Sequence, residues 1–541
     1  MSKRQSKRQR PRVAGSPPAR QASGYSDAGA SGTRRALRGF NAWSGSPARD
    51  IDDNNYTLRQ RSRMLYMGAP IATGAVRTVR TNVVGIGVVP RPRVDAEALG
   101  MAPEQADEWA DKARREFDLW ARDRRACDAA GLNDFYELQQ LVVQSWLMSG
   151  DAFAVVRRHK ASAMRPYTLR LQLVEADRVC TPWEMGSGTS KRGVTAMPHA
   201  VTTGQNADNG NLVYDGVEVF KTGEVVAYHV CNHHPWEAGS EPTEWSRVQA
   251  VSSKTGLPLV LHVMESERPE QYRGVPYLAQ AIEPLLQMRR YTNAELDAAV
   301  IQASFSAFVK TEDPTDNPFN EVGSGIEGDA ASSLSDDPSE YELGPGTINY
   351  MLPGEDIVFG DPSRPNSGFE GFIAAMATQV GAALEIPRDL LLKEFNSSYS
   401  ASRAALMEAW KAFRMRRAWL VSDFCRPVWE LFVSEAVARG RLEAPGFFAD
   451  PSVRAAYLGC EWIGPSQGQL DPTKEINAEL AAIGAGITTR EAAAVRINGS
   501  DWDENVRRLA RENDALAGAQ STTTPEEGDA IEGPQQATAR A

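Results

Sequence analysis

One apolar stripe constrains this chain more than any other feature. Between Ser398 and Gly440, Leu406, Trp410, Phe413, Leu420, Val421, Phe424, Val428 and Leu431 recur at spacings of three and four. That spacing marks one face of an α-helix. Ser400 or Ser402 is placed to cap its start and Gly440 its end. At 1.5 Å per residue, ~40 residues span about 60 Å, longer than most globular helices. Pro427 is the interior breaker and predicts a kink, because it lacks an N–H and crowds the carbonyl four residues back. The first half is basic (Arg403, Lys411, Arg414, Arg416, Arg417) against one acid, Glu408. Such a helix suits a core element with a solvated basic edge, or a long strut in a large assembly. The helix alone does not choose.

The chain has 541 residues, enough for two to four domains and a sizeable core. No apolar run approaches ~18 residues, so no transmembrane helix is expected. The basic N-terminus lacks an apolar h-region and does not read as a secretory signal. Five cysteines (Cys127, Cys180, Cys231, Cys425, Cys460) are odd in number and far apart, which fits a reducing compartment without a disulfide framework. Charge is uneven. Residues 1–40 carry ten Lys/Arg and one Asp, a net of +9, and the formal total is −11, which leaves −20 for residues 41–541. Phosphate binding rests on Lys and Arg, so this body is not a general DNA-gripping surface. It suits a surface that must not stick to DNA.

Along the chain, residues 1–50 are rich in Arg, Ser, Gly, Pro and Ala and read as a disordered basic arm. Residues 55–84 are helical, with a break near Gly68–Pro70, followed by a short strand in Val84–Pro92. Helices are expected over 103–124 and 134–148. Residues 150–265 form a β-rich module: strands at 152–158 and 169–173, and a hairpin over Val217–Val230 with Gly223 in its turn. A helix opens at Pro284 and runs to about Lys310, slim in its second half at Ala298, Ala299, Ala303 and Ala307. Residues 311–346 are acidic, Gly/Ser/Pro-rich and weakly patterned, a projecting element. A further helix covers Phe369–Leu384, and Pro387–Ser397 is a loop leading into the long helix. Near the C-terminus Asp471 and Thr488–Glu491 open two helices and Asp501–Leu516 is a third. Residues 518–541 read as a disordered tail.

Familiar chemistry is scarce. There is no P-loop string, and Gly85-x-Gly87 has Pro90 where a dinucleotide fingerprint needs its third glycine. Gly464-Pro-Ser-Gln-Gly468 matches a nucleophile elbow, but Asp471-Pro delays the helix and no histidine lies beyond His262. His229, Cys231, His233 and His234 are zinc-type residues, three of them alternating on one strand face. No second Cys/His pair stands at finger spacing, so ordinary strand and turn residues are the better reading. These observations reach a soluble, multi-domain α+β protein, mainly helical, with long struts and no visible active site.

Several strings in order carry a resemblance. They are Val84-Gly-Ile-Gly-Val-Val-Pro90, the Val217–Val230 hairpin, His262 followed by Arg268-Pro-x-Gln271-x-Arg273-Gly-Val-Pro276, and Leu384-Glu-Ile-Pro387. Tyr399-Ser-x-Ser402-Arg403, Trp462-Ile-Gly464, and Asp471-Pro-x-Lys-Glu475 with Gly486-Ile-Thr-Thr489 complete the set. Together they resemble the portal proteins of lambda-type tailed bacteriophages, from about residue 40 to 516. Ile497-Asn-Gly-Ser-Asp501 departs from the tighter Gly-Asp turn usual there.

The resemblance implies a portal fold with wing, stem, clip and crown. It implies a homo-oligomeric ring of about twelve subunits at one capsid vertex, around a channel for double-stranded DNA. It maps residues 51–276 to the wing, 277–310 to the first stem helix, 311–350 to the clip and 351–386 to the second stem helix region. Residues 387–401 become a channel loop, 402–467 the kinked helix and wing return, and 468–516 the crown. The constriction is expected at Lys393, Glu394, Phe395 and Asn396, and Lys393 is a candidate for transient phosphate contact. Small residues at 298–307 let neighbouring stem helices crowd a ring. Implied partners are the large terminase subunit, major capsid and scaffolding proteins and a head–tail adaptor. The implied location is the virion, and host cytoplasm during assembly. No cofactor, metal or catalytic residue is implied. The alternative is a metal-dependent, HNH-like nuclease built on His229–His234.

Overall fold

The computed structural model describes residues 35–37, 39–40, 44–185, 202–235, 237, 242–303, 307–310, 348–351, 368–395, 398–468 and 471–521. Most of the expected N-terminal arm and clip lie outside these residues, as do Asn396 and 522–541 of the tail. Two units are distinguished, Met1–Ser46 and Pro47–Ala541. In the first, Arg35–Leu37 form a 3-10 turn.

The second unit opens with helices α1 (Asp53–Gly68) and α2 (Pro70–Val83), split at Ala69–Pro70. Proline favours the first helical position, so the break restarts a helix. Strand β1 (Val89–Pro92) and helices α3 (Ala96–Leu99), α4 (Pro103–Ala121), α5 (Arg124–Cys127) and α6 (Phe135–Ser149) follow. A reciprocal capping box starts α6: the Glu137 amide donates to Asp134 and the Asp134 amide to Glu137, both at 2.8 Å. Gly150, left-handed at φ 90°, ends it.

The β-rich region divides into two sheets. Strands β2 (Asp151–Arg158), β3 (Leu169–Val174) and β9 (Val260–Met264) form one antiparallel sheet in the order β3-β2-β9. Between them in sequence, β4 (Thr203–Gln205), β5 (Leu212–Tyr214), β6 (Val217–Val219), β7 (Val225–Cys231) and β8 (Trp245–Gln249) make an antiparallel meander. Central strand β2 serves two cores. Ala152, Ala154 and Val156 face the large one, Phe153 and Val155 a smaller one under the meander. The twofold side-chain period makes this sharing possible.

Helix α7 (Ile282–Ala303) is followed by strands β10 (Ala307–Lys310) and β11 (Ile348–Met351), which pair in parallel. The helix expected to reach Lys310 therefore stops at Ala303, and Ala307 stands in a strand. Phe308 and Val309 prefer extended backbone, which a reading by apolar period missed. Helices α8 (Phe369–Ala383) and α9 (Arg388–Leu392) lead into α10 (Tyr399–Leu420). A π-helical turn, Val421–Cys425, joins α10 to α11 (Arg426–Ala438). Pro427 is the second residue of α11, so the one-residue excess of the π turn lies just ahead of the missing N–H. Helix α12 (Pro451–Leu458) and β12 (Cys460–Ile463) return the chain to β1, with Val89 opposite Ile463. Helices α13 (Pro472–Gly484), α14 (Arg490–Asn498) and α15 (Trp502–Ser521) end the described chain.

The main core is aromatic where the long helix crosses α4 and α6. Phe117 lies 5.3 Å from Trp429, 5.1 Å from Phe432 and 5.4 Å from Phe135, and Phe135 stacks on Phe424 at 5.7 Å. Polar contacts fix the same crossing. Glu435 accepts from the Thr168 and Leu169 amides. Arg417 donates to the carbonyls of Val83 and Asn82, both at 2.8 Å, closing the C-terminus of α2.

Candidate functional site

Two places in the fold concentrate what the sequence singled out. The first is the passage from α8 to α10. Here Leu384-Glu385-Ile386-Pro387 turns the chain sharply. Glu385 adopts φ 53°. A Cβ on Gly381 would sit 2.4 Å from the Ile386 carbonyl oxygen, so only glycine lets the turn close against α8. The Tyr277 hydroxyl donates to the Leu384 carbonyl, and Arg416 binds Glu385 at 2.7 Å while lying over the Tyr277 ring at 4.9 Å.

The segment expected to be a loop from Pro387 begins as helix α9, anchored by buried Leu391. Lys393, left-handed at φ 59°, ends α9, and the Glu394 amide donates to the Asp389 carbonyl. Lys393, Glu394 and Phe395 are exposed, and Ser398 caps α10 through the Ala401 amide. The base of the segment is thus tightly held and its tip bare. A cleft of about 530 Å³ opens beside it between α8 and α10, lined in part by Gly381, Ile386, Pro387, Ala409 and Met415.

Helices α7 and α8 meet at Tyr291, whose ring stacks on Phe369 at 5.5 Å and meets Phe372 edge-on at 4.7 Å. Beyond that contact one apolar face of α7 is exposed. Leu296 is 63% and Val300 56% exposed, Ala299 is exposed and Ala298 half-buried. Ala303 is the last residue of the helix.

The second place is a buried charge centre, which explains the string ending in Pro276. Arg273 is fully buried. It donates to Asp151 at 2.6 Å and to the carbonyls of Val179 at 2.7 Å and Ala176 at 2.9 Å. Arg59 of α1 reaches Asp215 at 3.1 Å and the Ser149 carbonyl at 3.1 Å, and Arg63 pairs with Asp177. Gln271 pins the turn, accepting from the Glu267 and Arg268 amides and donating to the Arg273 carbonyl at 2.8 Å. A Cβ on Gly274 would sit 1.8 Å from the Gly150 carbonyl oxygen, so two backbones touch there. His262 stacks on Phe153 at 4.2 Å.

Electrostatics at this centre follow from burial. Burial alone would raise the Asp151 carboxyl, but Arg273 and Arg59 overcome it and hold it well below the carboxylate range. Asp52 lies near the same charges, but there Arg273 and Arg59 are outweighed. Burial, then the Asp215 carboxylate, pushes it up to about 8. These residues bind α1, both sheets and the connector together. They hold structure. The sequence displayed them only as a string.

The histidine group is not brought together as a metal site. His229 faces the buried Glu218 at 3.1 Å, His233 meets the Thr243 hydroxyl at 3.3 Å, and His234 lies 3.6 Å from Asp177. The Cys231 carbonyl accepts from Arg178 at 2.9 Å. Among the described residues, no three His, Cys, Asp or Glu side chains are placed to hold a metal ion. Ser466, from the elbow-like string, donates to the Ile497 carbonyl at 3.4 Å.

Residues 33–417 match the profile of phage portal proteins of the lambda family. The chain belongs to that family. Portal protein B of Escherichia phage lambda is 22% identical over 509 residues, covering 91% of this chain and 90% of that protein. The portal protein of Escherichia phage N15 is 22% identical over 511 residues, with the same coverage of 91% and 90%. Among solved structures, the neck of an empty gene transfer agent particle gives a TM-score of 0.39 at 14% identity, covering 84% of this chain and 94% of that one. The virion of the native particle gives 0.38 at 14% identity, covering 82% and 92%. A lambda-family portal protein is a head–tail connector, and the general role of the family is in packaging and ejecting DNA. In this portal protein the string Leu384–Pro387 is the turn between α8 and α9, and the string ending in Pro276 carries the buried Arg273.

Proposed function

We propose that this portal protein assembles as a closed homo-oligomeric ring of about twelve subunits at one capsid vertex and conducts double-stranded DNA without catalysing a reaction. The observation that carries this reading is the family match over residues 33–417. Three features support it. The uncovered face of α7, with Leu296 and Val300 exposed, is apolar surface for a neighbouring stem helix to cover. The tip Lys393–Phe395 stands bare on a rigid base, as a channel constriction requires. The net charge of −20 over residues 41–541 lets a DNA duplex pass without being held.

In this assignment residues 51–276 are wing, α7 and α8 the stem, 387–401 the channel segment and 468–516 the crown. Residues 311–350 are the clip, where the terminase motor and then the adaptor dock. Capsid and scaffolding proteins meet the ring during assembly in the host cytoplasm.

The test is the particle mass of the purified protein together with negative-stain imaging. The expected result is rings of about twelve subunits with a central hole. A monomer that cuts DNA when metal is added overturns the proposal, as does loss of that cutting on replacing His233 and His234 with alanine. Deleting residues 320–340 is expected to leave rings that no longer dock the motor. Normal packaging by that deletion removes the clip assignment.

A further inference from the structure

Helices α13–α15 stand apart energetically. No side chain of residues 471–521 belongs to either apolar core among the described residues, and Ala493 is their one buried apolar side chain. Ile476, Leu480, Val506, Leu509 and Leu516 are exposed. Charges make the attachment instead. Arg91 of β1 reaches Glu491 at 2.6 Å, Asp501 at 3.1 Å and Asp503 at 2.6 Å, with its own side chain only 7% exposed. Arg93 also pairs with Glu491. Arg114 of α4 meets Glu504 at 3.3 Å, Arg507 pairs with Asp111, and Arg403 of α10 meets Glu475 at 3.0 Å.

The three helices are tied to one another separately. Arg496 of α14 binds Glu479 of α13 at 2.8 Å and the Thr488 hydroxyl at 2.6 Å. Arg490 lies over the Trp502 ring of α15 at 5.7 Å. The unit therefore has bonds of its own as well as an ionic attachment to the body.

We infer that α13–α15 form a detachable unit, latched to the body by arginine–carboxylate pairs around Arg91 and released as one piece when those pairs are weakened. Ordinary folding would place an apolar seam at such a joint. Without one, the attachment depends on Coulomb attraction across a partly wet surface, which salt screens. The body does not depend on it, because its cores lie elsewhere. The latch is a conformational device: it lets the C-terminal helices change position while strands, stem and long helix stay folded. It does not depend on the ring proposal.

The experiment is hydrogen exchange by mass spectrometry on the full-length protein as purified, at about 0.05 M and about 1 M NaCl, where screening lengths differ severalfold. Amides of α13–α15 are expected to exchange roughly tenfold faster at high salt, since several screened pairs weaken together. Amides of α4, α6 and α11 should not change. Sodium sulfate discriminates further, because it tightens apolar contacts while it screens charge. An ionic latch loosens in sulfate and an apolar joint tightens. Arg91→Gln should show at low salt the exchange the parent shows at high salt. Asp503→Asn, at an exposed position, should move the same way by less, and reads the latch even if Arg91→Gln disturbs β1. Protection of α13–α15 that is unchanged or raised by salt overturns the inference, as does loss of protection by the whole chain together.

Discussion

The charge centre around Arg273 and the latch around Arg91 use the same chemistry to opposite effect. Each sets an arginine among several carboxylates: Asp151 and Asp215 around Arg273, Glu491, Asp501 and Asp503 around Arg91. Arg273 has no exposure, its remaining N–H groups go to backbone carbonyls, and β2, the turn at 176–179 and Asp215 converge on it. Arg91 is nearly as covered, but two of its three partners are not: Asp503 is 54% and Glu491 34% exposed, against 14% for Asp501. The lesson concerns the partner. A buried cation whose partners are also buried is costly to break, because breaking it strands a charge without water. A cation whose partners reach solvent is cheap to release, because the freed carboxylates are hydrated at once.

The sharpest way to break this comparison is Arg273→Gln. It leaves Asp151 buried with its main counter-charge gone, and the expected loss is about 3–5 kcal/mol of global stability. Chemical denaturation checks it. A variant within about 1 kcal/mol of the parent would mean that the centre is no more demanding than the latch.

Asp52 is the next largest effect, and it has a pH sign. Its carboxyl is raised to about 8 by burial and by Asp215, so the folded state binds a proton that the unfolded chain releases near pH 4. A group raised in this way favours folding at low pH and opposes it as pH climbs toward 8. Parent stability is expected to fall by about 1.4 kcal/mol per pH unit between about pH 5 and 8 from this group. Asp52→Asn keeps the neutral shape and should flatten that slope. Denaturation midpoints at several pH values decide it, and parallel slopes for variant and parent refute it.

Glu218 shows the opposite sign. It is fully buried, and burial would raise its carboxyl. Arg247 at 2.7 Å and the Asn211, Asn209 and Asn206 amides overcome burial and hold it well below the usual range. It therefore contributes stability above the ordinary carboxylate pKa and loses it as pH falls below that value. Glu218→Gln is expected to cost about 1–3 kcal/mol near neutrality. The gap to the parent should narrow as the solution is acidified toward about pH 3, because the unfolded parent then binds a proton at this carboxyl while the folded parent does not. A constant gap in acid would assign the cost to packing.

Much of this was legible beforehand, for reasons tied to particular residues. Apolar spacing marked the long helix, α4 and α6, and Asp134 and Asp471 open their helices as expected, while the box expected over Thr488–Glu491 is capped one residue later, by Thr489. The hairpin turn at Gly223 was local as well. What escaped was long-range or competed with period. Ala307 follows a slim helical face, yet its neighbours Phe308 and Val309 take a strand. By its sequence Pro387 starts a loop, but in the fold it leads α9. The charge centre was visible as Arg268, Gln271 and Arg273 without roles, because their partners Asp50, Asp151 and Asp215 are far away in sequence. Arg91 and its three acids stand about 400 residues apart, a distance no periodicity spans.

The smallest effect sharpens the comparison most. Arg91→Gln removes a cation with three carboxylate partners, one more than Arg273 meets in Asp151 and Asp215. Counting pairs predicts at least as much damage from this substitution as from Arg273→Gln. Counting where the partners end up predicts a shift in the global midpoint of under about 1 kcal/mol for Arg91→Gln. The freed Asp503 and Glu491 rehydrate, and the apolar cores contain no residue of α13–α15. The two variants measured side by side by denaturation therefore separate pair number from partner burial. Equal losses would return the C-terminal helices to the cooperative body. A small global loss together with faster exchange confined to α13–α15 leaves them a subsidiary cooperative unit, less stable than the body on which they sit.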